Sequence, residues 1–135
     1  MLDASVALAW CFPDENSVFA EQIATIFRRG DTAVVPSFWP HEVLNALLAG
    51  ERRKRITKDL IRSFLEDLSM LPIALEQFPA KIIFSRIQQL SREYSLTAYD
   101  AAYLDLALVG DLPLATLDDD LRRAGRKAGA RLLET

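Results

Sequence analysis

Short apolar runs alternate with longer segments of helical periodicity along this chain, and that alternation leaves few architectures open. Thr32–Pro36 is β-branched and brief, as a strand should be. Leu2–Val6, Leu71–Leu75, Pro113–Thr116 and Arg131–Leu133 are further strand candidates. Between them lie segments with apolar residues at helical spacing. Strands that alternate with helices argue for a parallel sheet covered by helices on both faces.

The helical segments have readable ends. Ala7–Phe12 is a helical turn stopped by Pro13, and Asn16 or Ser17 caps a helix that runs to about Arg29, before Gly30. Pro40 opens a helix carrying Val43, Leu44, Leu47 and Leu48, which ends at Gly50 and the basic run Arg52–Arg55. Thr57–Met70 is amphipathic, and Ala80–Tyr94 is entered through Pro79. Ala98–Val109 is apolar nearly all round, which predicts a buried helix. Asp118–Gly125 is the last helix. Repeats, low-complexity stretches and linkers are absent, so one domain over 1–135 is expected.

Half of the 135 residues are hydrophobic, enough for a core and too many for a disordered chain. Apolar runs stay well short of the roughly 20 residues that a membrane helix needs, and no secretory signal is visible. Cys11 is alone and cannot form an internal disulfide, which fits a reducing, cytoplasmic setting. The net charge of −3 argues against simple non-specific nucleic-acid binding. Basic residues nevertheless cluster at Arg28–Arg29, Arg52–Arg55 and Arg122–Arg131. These are either solvated helix ends, favoured by the helix dipole, or a basic rim suited to a phosphodiester backbone.

Four isolated carboxylates carry the chemical signal: Asp3, Glu42, Asp100 and Asp118. Each sits where a helix begins after a strand or extended turn. In an alternating α/β chain those positions share one edge of the sheet. Singly, each has an ordinary explanation: capping for Asp3 and Asp118, dipole compensation for Glu42, a capping box for Thr97 with Asp100. Together they are harder to explain. Two unit charges about 4 Å apart repel by roughly 4 kcal/mol at an effective dielectric of 20, a penalty that a bound divalent cation removes. Ser5, Asn45 and Thr116 lie two or three residues from these acids and are candidate helpers for a carboxylate or a metal-bound water. Asp119 and Asp120 are ambiguous. His41 is the one histidine and is read as incidental, while Cys11, Trp10, Trp39 and Phe38 are read as packing. Nothing resembles a phosphate-binding glycine loop. Only Met1 and Leu2 precede Asp3, which suggests either a native start a few codons upstream or a clipped first strand.

The blocks Leu2–Trp10, Pro40–Asn45, Thr97–Leu104 and Leu114–Asp118, kept in this order, resemble a PIN-domain protein, most nearly the VapC-type toxins of toxin–antitoxin pairs. The resemblance covers essentially the whole chain. It implies a three-layer α/β/α sandwich around a central, mainly parallel sheet, and a Mg²⁺- or Mn²⁺-dependent endoribonuclease. Asp3, Glu42, Asp100 and Asp118 match the family's acidic set, with Asp3, Asp100 and Asp118 as metal ligands. Ser5, Asn45 and Thr116 match its supporting positions. It also implies an RNA substrate, a small antitoxin partner and a homodimer, with no membrane association. Two other classes stay open: a catalytically silent module that binds protein or RNA, and phosphatase chemistry on Asp3. The latter lacks the second aspartate expected two residues on.

Overall fold

The computed structural model describes residues 1–15 and 17–134. The expected cap at Asn16 lies outside these residues. Helices dominate: α1 (Ala4–Cys11), α2 (Val18–Arg28), α3 (Trp39–Arg52), α4 (Lys58–Ser69), α5 (Ala80–Ile82), α6 (Gln88–Tyr94), α7 (Ala98–Val109) and α8 (Asp119–Ala128). Strands β1 (Ala33–Pro36) and β2 (Ile73–Glu76) pair in parallel, with Ala33 opposite Ile73 and Pro36 opposite Glu76.

Backbone hydrogen bonds continue from this pair toward the N-terminus. Leu2 N–H donates to Val34 O at 3.3 Å, Asp3 N–H to Ala115 O at 2.9 Å and Ala115 N–H to Met1 O at 2.9 Å. Isolated parallel bridges join Leu2 to Ala115 and Leu114 to Leu132. The first expected strand is corrected: Leu2–Val6 is not extended throughout, because the helix already begins at Ala4. Asp3 is extended, with φ −74° and ψ 147°, and four of the eight residues after it are alanine or leucine, both strong helix formers. The short helical turn expected at Ala7–Phe12 thereby becomes all of α1.

Local chemistry sets the other boundaries. Ser17, Thr57 and Thr97 cap α2, α4 and α7 by accepting the N–H groups of Ala20, Leu60 and Asp100. Pro40 sits in the first turn of α3, where a missing N–H costs nothing. Gly129 closes α8 in the left-handed region at φ +82°. The expected single helix over Ala80–Tyr94 is helical throughout but contains a π turn at Ile83–Ile87 between α5 and α6.

The core gathers around α7. Val6 and Ala7 of α1, Val35 of β1, Val43 and Leu47 of α3, Tyr103 and Leu104 of α7, Leu114 and Leu121 are all buried. The buried-helix expectation for Ala98–Val109 matches the burial of Ala101, Ala102, Tyr103, Leu104 and Ala107. Two charged residues are buried among those described, Asp3 and Asp105. Asp105 is 2% exposed and receives both Nε and Nη2 of Arg86 from the π turn. Planar, two-point pairing suits a buried carboxylate, and it fastens the bulged helix to α7.

Arg86→Met removes the partner and leaves Asp105 buried and unpaired. Stability should fall by about 2–4 kcal/mol, toward the lower side of the range for fully buried pairs because Arg86 is half exposed. Urea unfolding checks this, and an unchanged midpoint contradicts it.

Candidate active site

Asp3 is 5% exposed at the entrance to α1. Its carboxylate makes no capping bond to that helix. Instead, Ser5 Oγ and Thr116 Oγ1 both donate to its Oδ2, each at 2.6 Å. The same hydroxyls act as acceptors for the next loop: Leu117 N–H donates to Ser5 Oγ at 3.0 Å and Asp118 N–H to Thr116 Oγ1 at 3.0 Å. Two hydroxyls thus tie the start of α1 to the segment leading into α8. Residues 113 apart in sequence meet because Leu2 and Ala115 are bridged side by side.

Asp118 begins α8, where its Oδ1 accepts Leu121 N–H at 2.8 Å, so the capping explanation holds for it. Asp118 is also solvent-exposed. Asp100 lies in the first turn of α7 and is half-buried, more open than its apolar helix suggested. Its own N–H donates to Thr97 Oγ1 at 3.1 Å. Glu42 occupies the first turn of α3, where Tyr103 OH donates to its Oε1 at 2.8 Å.

The four carboxylates sense one another. Burial raises Asp3 above the ordinary carboxyl range; Ser5 and Thr116 pull it back, and the charge of Asp118 pushes it up. Burial also raises Glu42; Tyr103 pulls it down, and the charges of Asp3 and Asp100 push it up. Asp100 is raised to about 6, first by burial and then by the charges of Asp118 and Asp3. Each member is therefore within electrostatic reach of at least one other, and Asp3 and Asp100 of two or more. Among the described residues none of the four is ion-paired with a lysine or arginine.

Hard oxygen donors of this kind suit Mg²⁺ or Mn²⁺ rather than softer metals. Among the described residues, no three His, Cys, Asp or Glu side chains stand close enough to form a ready metal cluster. The donor chemistry fits a divalent ion nonetheless. Mg²⁺ keeps several waters and needs few direct protein ligands.

The chain matches the PIN domain profile over residues 1–127. It belongs to the PIN-domain family. PIN domains are generally metal-dependent nucleases. A search of curated proteins finds no match to this chain. Among the described residues no helix is long and apolar enough to cross a membrane.

In this PIN domain Asn45 follows Glu42 by one helical turn, is exposed, and lines with it an open cleft of about 640 Å³. His41 and the aromatic rings of Phe38 and Tyr99 complete that lining. His41, read from sequence as incidental, therefore sits beside an acidic residue in a cleft. The basic clusters divide. Arg55 pairs with Asp14 and Glu15, Arg123 with Asp120, Arg126 with Glu134 and Arg131 with Asp111. Much of the C-terminal cluster is thus neutralised at the surface. Asp120, paired with Arg123, still adds its charge to the causes that raise Asp100.

Tyr103, which touches Glu42, and Asp105, buried in the core, escaped the sequence reading. Tyr103 is fully buried, holds Glu42, and has its hydroxyl pushed well above the ordinary tyrosine range by burial and by the charges of Asp3 and Glu42. The available signal was its spacing: Tyr103 follows Asp100 by three residues and so shares its helix face. Asp105 carried no such signal, since Arg86 is 19 residues away.

A carboxyl whose pKa is higher folded than unfolded binds extra protons in the folded state. Its contribution therefore falls as pH rises, here between 3.8 and about 6 for Asp100. Two pKa units correspond to at most about 3 kcal/mol. Solvent screening roughly halves that, and loss of a favourable dipole contact removes about 0.3–1 kcal/mol more. In chelator at pH 7, Asp100→Asn should stabilise the protein by about 1 kcal/mol, and the gain should vanish near pH 4. Thermal unfolding at both pH values checks this; a variant less stable than the parent at pH 7 contradicts it.

Proposed function

We propose that this PIN domain is a metal-dependent endoribonuclease acting as the toxin of a VapBC-type toxin–antitoxin pair. The observation that carries the nuclease reading is the gathering of Asp3, Glu42 and Asp100 at the starts of α1, α3 and α7, tied in by Ser5, Thr116 and Tyr103 and with no ion-paired cation among the described residues; burial raises all three, and neighbouring charges add to it. Family membership supports metal-dependent nuclease chemistry. The assignment of RNA, toxin role and antitoxin rests on the resemblance of the four motif blocks.

In this reading Asp3, Asp100 and Asp118 would hold one Mg²⁺ or Mn²⁺, Asp118 directly or through water. Such an ion, when bound, would lower the pKa of a water and offset charge developing on the phosphate. Ser5 and Thr116 fix Asp3 by occupying Oδ2, and among the described residues no side chain donates to Oδ1. Glu42, oriented by Tyr103, would bind a further water. Asn45 is a supporting donor one turn away. Hydrolysis would join a water oxygen to phosphorus and break the P–O bond to the leaving nucleotide, the proton given up by the water balancing the one taken up by the leaving oxygen. Arg52 and Arg53, exposed and in no ion pair among the described residues, steer the polyanion toward the acids.

The same reading extends β1 and β2 through Leu2, Leu114–Ala115 and Leu132 into one central parallel sheet of a three-layer sandwich, with residues 1–135 as a single domain. It gives the protein a cytoplasmic location, a homodimeric state and a small antitoxin that covers the acidic groove. A catalytically silent module that binds protein or RNA is the alternative class.

Purified protein should cleave single-stranded RNA with Mg²⁺ or Mn²⁺ and stop in chelator. Asp100→Asn should lose at least about a hundred-fold in rate, the scale expected for a group that stabilises developing charge, while keeping its fold by circular dichroism. Cleavage that survives chelator, or that Asp100→Asn leaves intact, rejects the assignment.

A further inference from the structure

We infer that Tyr99, braced by Phe38, is a nucleobase-stacking platform that seats one unpaired base of the substrate beside Glu42. The inference rests on the nuclease reading for its substrate, and its geometry comes from aromatic packing rather than from the charge of the carboxylates. Tyr99 stands in the first turn of α7, immediately before Asp100, and remains 59% exposed. An exposed aromatic ring beside these acids offers an open apolar face to a ligand, since that face gains nothing from water.

The ring is not loose. Phe38 meets Tyr99 at a centroid distance of 5.1 Å and an interplanar angle of 78°, and meets the buried Tyr103 at 5.8 Å and 87°. Both are edge-to-face contacts that hold rings in fixed orientations. Tyr103 in turn holds Glu42 through its hydroxyl. One aromatic row therefore runs from the exposed Tyr99 through Phe38 and Tyr103 to a carboxylate of the acidic set. Its alignment and the position of Glu42 are set by the same packing.

Tyr99 and Phe38 also form a ridge between two clefts. One, of about 640 Å³, carries His41, Glu42 and Asn45. The other, of about 290 Å³, is walled by Phe78, Ile83, Ile87 and Ala102 and is more apolar. The occupant fits the first cleft. A flat ring there finds an aromatic face, while the exposed imidazole of His41 and amide of Asn45 offer donors and acceptors to its edge. Unpaired bases are recognised in this way, by stacking on aromatic side chains with hydrogen bonds to their edges. A base-paired strand presents no free base face, so the platform selects single-stranded RNA and places the phosphate next to the seated base toward the acids.

Base–aromatic stacking corresponds to roughly a ten-fold or greater effect on affinity. The test uses the Asp100→Asn protein with Mg²⁺, in which RNA survives, and fluorescence anisotropy of a short single-stranded oligonucleotide. Tyr99→Leu in that background should bind about ten-fold more weakly, and Tyr99→Phe should bind as the tyrosine does. Replacing one nucleotide at a time by an abasic residue should cost the Tyr99 protein a similar factor at a single position, and cost Tyr99→Leu nothing there. Equal affinities for the tyrosine and leucine proteins, an abasic penalty that persists without Tyr99, or absence of RNA binding overturns the platform. So does a Tyr99→Leu variant that keeps its RNA affinity but releases a protein partner, which assigns the ridge to protein docking. Cleavage by the parent chain is measured alongside. A parent that cleaves, with KM unchanged in Tyr99→Leu, leaves the nuclease and removes the platform; a parent that stacks RNA on Tyr99 without cleaving it leaves the platform and removes the nuclease.

Discussion

Burial of the Asp3 carboxylate is the constraint on which the rest of the structure depends. A carboxylate with 5% exposure is costly unless its oxygens are engaged. Ser5 and Thr116 engage one of them, and through their second bonds they also fix Leu117 and Asp118. The parallel bridge from Leu2 to Ala115 brings these groups together. Glu42 and Asp100 then arrive on the first turns of α3 and α7, the helices that pack over this region. Charge is concentrated here because the backbone leaves these helix starts close together, and burial and neighbouring charges lift Asp100 to about 6.

Stability and chemistry pull in opposite directions at such a site. The acids destabilise the metal-free chain, and the surrounding structure holds them in place through Tyr103 on Glu42, the α7 core and the Arg86–Asp105 pair behind it. In the proposed function, a bound cation would relieve the repulsion and gain affinity from it. Functional sites are commonly built at this cost in stability.

Much of this was legible in the sequence, for local reasons. Ala98–Val109 has a threonine cap and an unbroken apolar run, and its limits were read directly. The caps at Ser17 and Thr57 and the proline at the start of α3 are equally local signals. The strands were harder. Leu2, Leu114 and Leu132 pair through isolated bridges, and whether so short a segment is extended depends on its neighbours rather than on its own residues. The alanine-rich stretch after Asp3 therefore turned helical earlier than its apolar character suggested. The carboxylates themselves were visible as acids at helix starts. What holds them was only partly so: Ser5 and Thr116 lie within two residues of an acid, whereas Tyr103 and Glu42 are 61 residues apart and meet only through the fold.

Titration calorimetry of Mn²⁺ into the metal-free protein, beside its Asp100→Asn variant, tests the central claim most directly. The account predicts binding by the parent with release of protons near pH 6, since a ligated carboxyl must be ionised, and much weaker binding by the variant. Equal binding by both, or none by a folded parent, contradicts a metal site built on these carboxylates.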